Sequence, residues 1–514
     1  MNKEKLKSLL LVLLIATSIV LTQRVWFHSP LQLSSSEASY VADETVLAQS
    51  RDQVLRPKQI VVGFGGGAEN SHFSILSPPD LDRFWQEAKM ILQDHFVSEP
   101  TVQVVSYADY QEARGGRSIE LRFAEGFPTA FLSTLFDQQD NRVAATVNTI
   151  AAILIPARYQ GSVYIVDEPG DIYEFRLTPQ DRDYEGDPGE LLDSIPVNSY
   201  VKYYPLFSYV ENDVLLPLTH QVNIPRIFTE SEVDASSSQQ MNRWAGRFFN
   251  ENFDFVKTIQ ETGGTRIYMY GYGQQEVRIN NQGRLEYTAE TGNQSSSSVG
   301  KALDTALAFM GQNEGMNTAL VLKKVQVIEQ DNLRGYRFGF GYSLGDLPVR
   351  LSRSQDPLEI EVFGNSVRSY RTFIRRPMSL PEVLPERGIL SPHRLIEDNF
   401  NLLLEELRMN REVESDPVGQ VPEDTDPEES TEEINGEDTA ENEEIVESEE
   451  PAVAGEDLLR AIEQIQLIYL DREETHRRQV MIPVWRITID QRVYDFDAHE
   501  GTRLQTLTTM GRDV

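Results

Sequence analysis

The sequence contains no cysteine. This absence excludes disulfide bonds, thiolate zinc sites and cysteine nucleophiles. Histidine is also scarce, and none of the seven histidines is spaced from another as in a metal-binding pair such as His-Glu-x-x-His. We therefore predict no metal and no cofactor. Stability must come from packing instead, and apolar residues make up 40% of the chain, which is enough for substantial cores.

Basic residues are few relative to acidic ones, and the formal net charge is −34. Part of this excess is local, because residues 412–450 contain many Asp and Glu residues but no Lys or Arg. Nucleic-acid binding depends on clustered cations that neutralise phosphates. The composition therefore predicts no nucleic-acid partner.

Motifs typical of catalysis are missing as well, and no Gly-x-Ser-x-Gly elbow occurs. The run Gly63–Gly67 follows an apolar strand pattern, but Ala68 and Glu69 stand where a phosphate loop needs Lys and Ser or Thr. Asp181–Gly186 resembles the start of a calcium loop, but its twelfth position is Leu192 instead of Glu. We predict that the protein is not an enzyme. A membrane-anchored hydrolase is an alternative supported only by the abundance of carboxylates.

An uncharged apolar run is present at the N-terminus, from Leu9 to Thr22, and three lysines precede it. Residues 8–27 at ~1.5 Å per residue cover a hydrocarbon core of ~30 Å. By the positive-inside rule the lysines are cytoplasmic, so we expect a single-pass protein of the cell membrane with residues 28–514 outside. The alternative is a cleaved signal peptide, but no small-residue cleavage triplet lies at the usual spacing after the run.

The rest of the chain alternates between helical and strand patterns, which predicts an α+β fold. Asp80–Phe96 has the period of an amphipathic helix. Trp85, Trp244 and Trp485 lie in patterned segments and are predicted core residues. The predicted divisions are 1–30 for the lysines and transmembrane helix, 31–56 for a linker, and three domains at 57–205, 206–378 and 379–514.

The last two domains share a pattern of one helix followed by antiparallel strands. Val325–Ile328 and Val367–Tyr370 are strands of one copy, and Ile465–Tyr469 and Pro483–Ile487 are strands of the other. We predict two related units, each with a helix on an antiparallel sheet. Residues 412–455 interrupt the last domain and contain almost no large apolar residues, so we predict that this acidic insert is disordered.

Several short motifs, in the order in which they occur, resemble the YycH family of regulatory proteins. They are Lys5–Ser8 before the apolar run with Trp26 and Pro30 after it, the hairpin Arg266–Tyr287, Phe340–Ser343 with Leu347–Val349, and Ile482–Arg486 followed by Tyr494–Ala498. The acidic insert departs from the family pattern. The resemblance implies an N-terminal transmembrane helix followed by a three-domain extracytoplasmic part.

The resemblance also implies partners. The family acts with its relative YycI on the YycG (WalK) sensor histidine kinase, which controls cell-wall metabolism, and contacts it largely through transmembrane helices. Small and hydroxyl residues let such helices approach closely, so the predicted partner-binding residues are Ala16, Thr17, Ser18 and Thr22. The bilayer is contacted through residues 8–27. The direction of regulation stays open, and an extracytoplasmic binding module for a cell-wall or peptide ligand is the alternative function.

Overall fold

A computed structural model of the protein shows a mixed α+β fold, as the sequence predicts. The structure describes residues 14, 18, 43–66, 72–76, 78–158, 160–183, 186–195, 201–206, 214–217, 223–290, 296–313, 320–330, 332–345, 347–352, 356–378, 387–415, 455–473 and 478–504.

The first sheet is built from the chain up to residue 217. Its nine strands run in the order β3-β7-β6-β5-β4-β1-β2-β8-β9, and neighbouring strands are antiparallel. The elements are α1 (Glu44–Val54), β1 (Gln59–Phe64), β2 (Phe73–Ile75), α2 (Pro78–Val97), β3 (Thr101–Val104), α3 (Tyr107–Gly115), β4 (Arg117–Arg122), α4 (Thr129–Leu135), α5 (Arg142–Thr146), β5 (Ile150–Pro156), β6 (Ser162–Asp167), β7 (Ile172–Arg176), α6 (Pro188–Asp193), β8 (Tyr203–Pro205) and β9 (Leu215–Pro217).

Helix α2 confirms the helix predicted over Asp80–Phe96. It begins at Pro78, where the fixed φ of proline suits the first helical turn. Its apolar face is buried, with Phe84, Trp85 and Leu92 at most 1% exposed. By contrast, α1 lies inside the predicted linker, where the apolar period is weak. Asp43 caps α1 by accepting a hydrogen bond from the Thr45 amide at 2.9 Å.

The second sheet has eight antiparallel strands in the order β12-β13-β14-β15-β21-β20-β17-β16. Helix α8 packs across it and also contacts α1 and α4, so the first and second sheets share one hydrophobic core. The elements are β10 (Asn223–Ile224), β11 (Ile227–Ser231), α7 (Ser238–Phe249), β12 (Lys257–Gln260), β13 (Arg266–Tyr270), β14 (Gln275–Ile279), β15 (Leu285–Ala289), α8 (Val299–Asn313), β16 (Val321–Gln330), β17 (Leu333–Gly341), β18 (Ser343–Leu344), β19 (Leu347–Leu351), β20 (Leu358–Phe363) and β21 (Ser366–Thr372).

The third sheet takes strands from four separate parts of the chain. Its order is β18-β19-β24-β25-β11-β22, with β26 beside β25 and β27 beside β26. Strand β19 is parallel to β24, and β11 is antiparallel to β25. The remaining elements are β22 (Arg375–Pro377), β23 (Arg387–Gly388), α9 (Pro392–Asp398), α10 (Phe400–Ser415), α11 (Gly455–Ala461), β24 (Ile462–Asp471), β25 (Arg478–Ile489), β26 (Arg492–Asp497) and β27 (Arg503–Leu504).

Both strand sets of the predicted repeat are present. A helix precedes an antiparallel meander in each case, α8 before β16 and β17, and α11 before β24, β25 and β26. The three predicted tryptophans are core residues, because Trp85, Trp244 and Trp485 are at most 9% exposed. The relation between the two units and the division into three domains stay predictions.

Two predicted segments lie mostly outside the described residues. Helix α10 continues to Ser415, into the predicted acidic insert, because Arg, Met and Glu there are good helix formers. Residues 416–454 are not among those described. Among the residues that the structure describes, no helix combines the length and the apolar character needed to cross a bilayer.

Candidate functional site

The predicted partner-binding residues lie almost entirely outside the described part of the chain. Ala16, Thr17 and Thr22 are not described. Ser18 is helical and exposed, like the neighbouring Leu14. Their proposed role in helix contacts therefore stays a prediction.

Within the described residues, the most unusual charged group lies where the three sheets meet. We call it the junction cluster and define it as Lys58, Lys323, Arg350 and Asp356. Lys58 immediately precedes β1 of the first sheet, Lys323 lies in β16 of the second, and Arg350 lies in β19 of the third. Asp356 lies in the segment before β20. The three cations act electrostatically on one another, so they share one small region.

A β-bulge positions Lys323. The ladder between β16 and β17 pairs Leu322 with Phe340 and then Lys324 with Gly339, which leaves Lys323 as the extra residue. A bulge of this kind bends the strand and redirects the side chain of the extra residue. The bulge is held from the first sheet, because the Glu125 amide donates to the Lys323 carbonyl at 2.9 Å and the Val325 amide donates to the Glu125 carbonyl at 2.8 Å.

Two glycines of β17 make room for the charged side chains. A Cβ on Gly341 would lie 2.8 Å from Cε of Lys323, and a Cβ on Gly339 would collide with the carboxylate of Asp356. Residues two apart in a strand face the same side at a spacing of ~7 Å. Lys323 and Asp356 therefore lie side by side, directly on the backbone of β17.

The pKa values follow from this packing. Burial, together with the positive charges of Arg350 and Lys58, lowers the pKa of Lys323 to about 7. Burial raises the pKa of Asp356 to about 6, although Arg350 opposes this shift. The side chain of Lys58 is exposed; partial desolvation by its surroundings, together with the charges of Arg122 and Arg350, lowers its pKa.

The cations that surround the junction cluster have acidic partners, whereas the three cations of the cluster have none among the described residues. Arg56 pairs with Asp82 at 2.7 Å, Arg122 with Glu120 at 3.1 Å and Lys324 with Glu125 at 2.6 Å. Among the described residues, Lys58, Lys323 and Arg350 make no ion pair and no side-chain hydrogen bond. Asp356 is the one carboxylate of the cluster, and Glu125 and Glu168 also act on Lys58 from outside it. The arrangement is suited to holding an anion.

The lowered pKa of Lys323 predicts a pH dependence of stability. An unfolded lysine keeps its proton up to about pH 10.5, but the folded one releases it near pH 7. Between these values the unfolded state binds more protons, so the free energy of unfolding rises with pH; below pH 7 the folded state carries the full cost of the charge. Lys323→Met should therefore raise the free energy of unfolding at pH 6 by on the order of 2 kcal/mol.

Urea titrations of the full-length protein in detergent at pH 6, 7, 8 and 9 measure this effect. The variant should show a flatter rise in stability between pH 7 and pH 9 than the wild type. Lys324→Met is the matched control, since that lysine is adjacent in β16 and paired with Glu125. The same pH profile in the wild type and in Lys323→Met would contradict the assignment.

Another charged group, which we call the buried ion cluster, connects the second and third sheets. It consists of Arg284, Ser352, Arg375, Asp471 and Glu473. Arg375 donates to Asp471 at 2.7 Å, and both side chains are fully buried. Glu473 pairs with Arg284 and accepts a hydrogen bond from the Ser352 hydroxyl at 3.2 Å. Arg284 lies in the turn between β14 and β15 of the second sheet, and Glu473 follows β24 of the third, so their ion pair joins the two sheets.

A shallow cleft of about 430 Å³ lies beside α2. Its lining includes Glu87, Asp94, Asp181 and Asp183, together with the exposed apolar residues Met90 and Val97. It contains part of the segment that resembles a calcium loop. Among the described residues, no three His, Asp or Glu side chains converge as metal ligands, in this cleft or elsewhere.

Sequence reasoning did not find the junction cluster. One feature of the sequence points to the cluster. Gly335, Gly339 and Gly341 lie on the same face of one strand, and glycines in a strand often mark a close approach by another group. The sequence did not reveal which cations are paired, because their partners come from other sheets.

Comparisons with known proteins give one family match. Residues 4–183 match the family model of the YycH protein, N-terminal domain. No curated protein matches the chain. Among solved structures, the chain is similar to an uncharacterized protein from Eubacterium rectale ATCC 33656, with 11% sequence identity and a TM-score of 0.32 over 58% of this chain and 92% of that one.

Proposed function

Since the chain is a member of the YycH family, whose association is with regulation of the YycG/WalK kinase system, we propose that it is a membrane-anchored, extracytoplasmic regulator of such a sensor histidine kinase. The observation that carries this proposal is the family match over residues 4–183. It agrees with the resemblance of the motifs further along the chain. In this proposal the protein acts together with a YycI-like partner, and the kinase it regulates controls cell-wall metabolism.

The proposed topology places residues 8–27 in the bilayer, the N-terminus in the cytoplasm and the rest outside. It is supported by the uncharged run, by the lysines before it and by the family match, which begins at residue 4 and so includes the run. We also propose that the protein acts by contact and is not an enzyme, because none of the described charged groups forms a catalytic arrangement.

Helix α1 follows the proposed span in the chain, and it packs against α8 and β16. Arg51 of α1 donates to Asp304 of α8 at 2.6 Å. We propose that a change in the position of the second sheet is passed to α1 and from there along the chain toward the membrane.

Contacts within the bilayer provide enough energy for such a signal. Close approach and hydrogen bonds between transmembrane helices contribute ~0.6–2 kcal/mol each. A two-state kinase with a small energy gap responds to a bias of this size, because 1–3 kcal/mol changes a population ratio by roughly 5–150-fold. Ala16, Thr17, Ser18 and Thr22 are the residues proposed to make these contacts.

Co-purification tests the partner and the place of contact. Full-length protein should retain the kinase in detergent, whereas a variant lacking residues 1–30 and exported with a cleavable signal should not. The truncated protein must be shown to be folded, for which protease resistance equal to that of the full-length protein suffices. Retention of the kinase by the truncated protein would place the contact in the outer domains instead.

Replacement of the four proposed contact residues tests the mechanism. Changing Ala16, Thr17, Ser18 and Thr22 to leucine should change kinase output by roughly fivefold or more, because the close helix contact is lost. The matched control is Ser8→Leu, a polar residue at the start of the span. Normal membrane insertion with unchanged kinase output would remove these residues from the mechanism.

A further inference from the structure

We propose that the junction cluster is a phosphate-binding site, formed by Lys58, Lys323 and Arg350 from three different sheets. The ligand is a phosphate group, either free or carried by a larger molecule. This inference does not depend on the proposed regulation of a kinase, because it rests on the geometry of the described residues alone.

The first argument is the contrast in pairing. In a chain with a formal net charge of −34, acidic partners are abundant, and the neighbouring cations Arg56, Arg122 and Lys324 all have one. The three cations of the junction cluster make no ion pair with any described residue; Lys58 is exposed, and Lys323 and Arg350 are half-buried. Half-buried cations that repel one another, as Lys323 and Arg350 do, cost stability unless an anion joins them. A phosphate dianion would balance three cations and one carboxylate.

The second argument is that several specific features of the backbone are needed to bring these side chains together. The bulge at Lys323 interrupts the ladder between β16 and β17, and the backbone hydrogen bonds of Glu125 hold it. Gly339 and Gly341 let Asp356 and Lys323 lie on the strand surface. Bulges occur often beside functional sites, where they redirect a side chain. Binding sites also occur preferentially where structural units meet.

The chemistry of the three cations favours phosphate. A guanidinium offers a planar pair of donors that matches two oxygens of one phosphate group, and lysine ammonium groups add point charges. Asp356 lies beside Lys323, and its negative charge competes with the phosphate for the positive charge of the lysine. Neutralisation or removal of Asp356 should therefore strengthen binding.

The site should also bind more tightly at lower pH. Acidification from pH 8 to pH 6 protonates Lys323 and begins to protonate Asp356, whose pKa values are about 7 and about 6. Both changes add positive charge. The charged groups that act on Lys323, Lys58, Arg350 and Asp356 from neighbouring elements are Arg56, Arg122, Glu125, Glu168, Lys324, Glu359 and Arg486.

Isothermal titration calorimetry of the full-length protein in detergent tests the proposal. The probes are inorganic phosphate, sulfate and acetate at constant ionic strength set with chloride. We expect saturable binding of phosphate and sulfate and no binding of acetate. Sulfate keeps its charge between pH 6 and pH 8, so a tightening of about tenfold over this range would report the titration of the protein.

Variants locate the site. Lys323→Gln and Arg350→Gln should each weaken phosphate binding about tenfold or more, since each removes a charge-assisted contact. Lys324→Gln is the matched control and should change the affinity less than twofold, because Lys324 is already paired with Glu125. Asp356→Asn should tighten binding, which a purely structural role of Asp356 would not produce.

Three outcomes would overturn the proposal. They are the absence of saturable phosphate binding, an equal loss of affinity in Lys323→Gln and Lys324→Gln, and acetate binding as strong as phosphate binding. If Lys323→Gln does not fold, the effect of Asp356→Asn and the pH dependence of sulfate binding decide the question by themselves. Glycerol phosphate, titrated in the same way, distinguishes an esterified phosphate from free phosphate as the preferred ligand.

Discussion

Replacing Asp471 with asparagine should lower the free energy of unfolding by about 3–5 kcal/mol. The carboxylate of Asp471 accepts a hydrogen bond from Arg375 at 2.7 Å, and neither side chain is exposed to solvent. Asparagine has nearly the same shape but no charge, so the buried guanidinium of Arg375 would lose its counter-ion. Removing one partner of a buried ion pair is costly because the remaining charge stays desolvated.

A double-mutant cycle measured by urea denaturation of the full-length protein tests this expectation. Arg375→Met alone should be similarly destabilising, and combining it with Asp471→Leu should recover part of the loss, because neither charge of this pair is then left buried without its partner. The control is Arg394→Met. Arg394 pairs with Asp398 at 3.5 Å on the exposed surface of α9, where the loss should be at most about 1 kcal/mol. A loss of that small size for Asp471→Asn would show that the buried pair Arg375–Asp471 does not stabilise the third sheet.

The second large effect is expected at Gly126, where the first sheet contacts β16. Gly126 has φ of +67°, and a Cβ there would collide with the carbonyl oxygen of Val325. Alanine would pay about 1–2 kcal/mol for the left-handed conformation. It would also disrupt the two backbone hydrogen bonds of Glu125, at about 1 kcal/mol each. Gly126→Ala should therefore lower the free energy of unfolding by about 3 kcal/mol.

Gly345→Ala separates the two contributions. Gly345 has a similar φ of +59°, and no heavy atom of the described structure lies within 4 Å of a Cβ placed there. Gly345→Ala should lower the free energy of unfolding only by the cost of the left-handed conformation, about 1–2 kcal/mol. Gly126→Ala should also weaken phosphate binding, because the Glu125 contacts position the bulge at Lys323, whereas Gly345→Ala should not. Equal destabilisation by the two substitutions would show that the contact between Gly126 and Val325 is not restrictive.

Local pattern was sufficient for the elements whose partners are near in the chain. The helical period of α2, the turn at Gly283 between β14 and β15, and the strands of both meanders follow from residues that neighbour one another in sequence. Helix α1 was missed because its stability comes from contact with α8, far along the chain, and not from its own apolar period.

The sequence by itself determined the α+β class, the uncharged N-terminal run, the core tryptophans and the resemblance that the match over residues 4–183 confirms. These depend on residue type and on short-range periodicity. Only the tertiary structure decided that β11 joins β25 and that β19 joins β24, because strand pairing over long separations depends on how whole sheets close. For the same reason, only the tertiary structure showed which cations have acidic partners, and that Lys58, Lys323 and Arg350 lie together without an ion pair to any described residue. The energy of a charge depends on its neighbours in space.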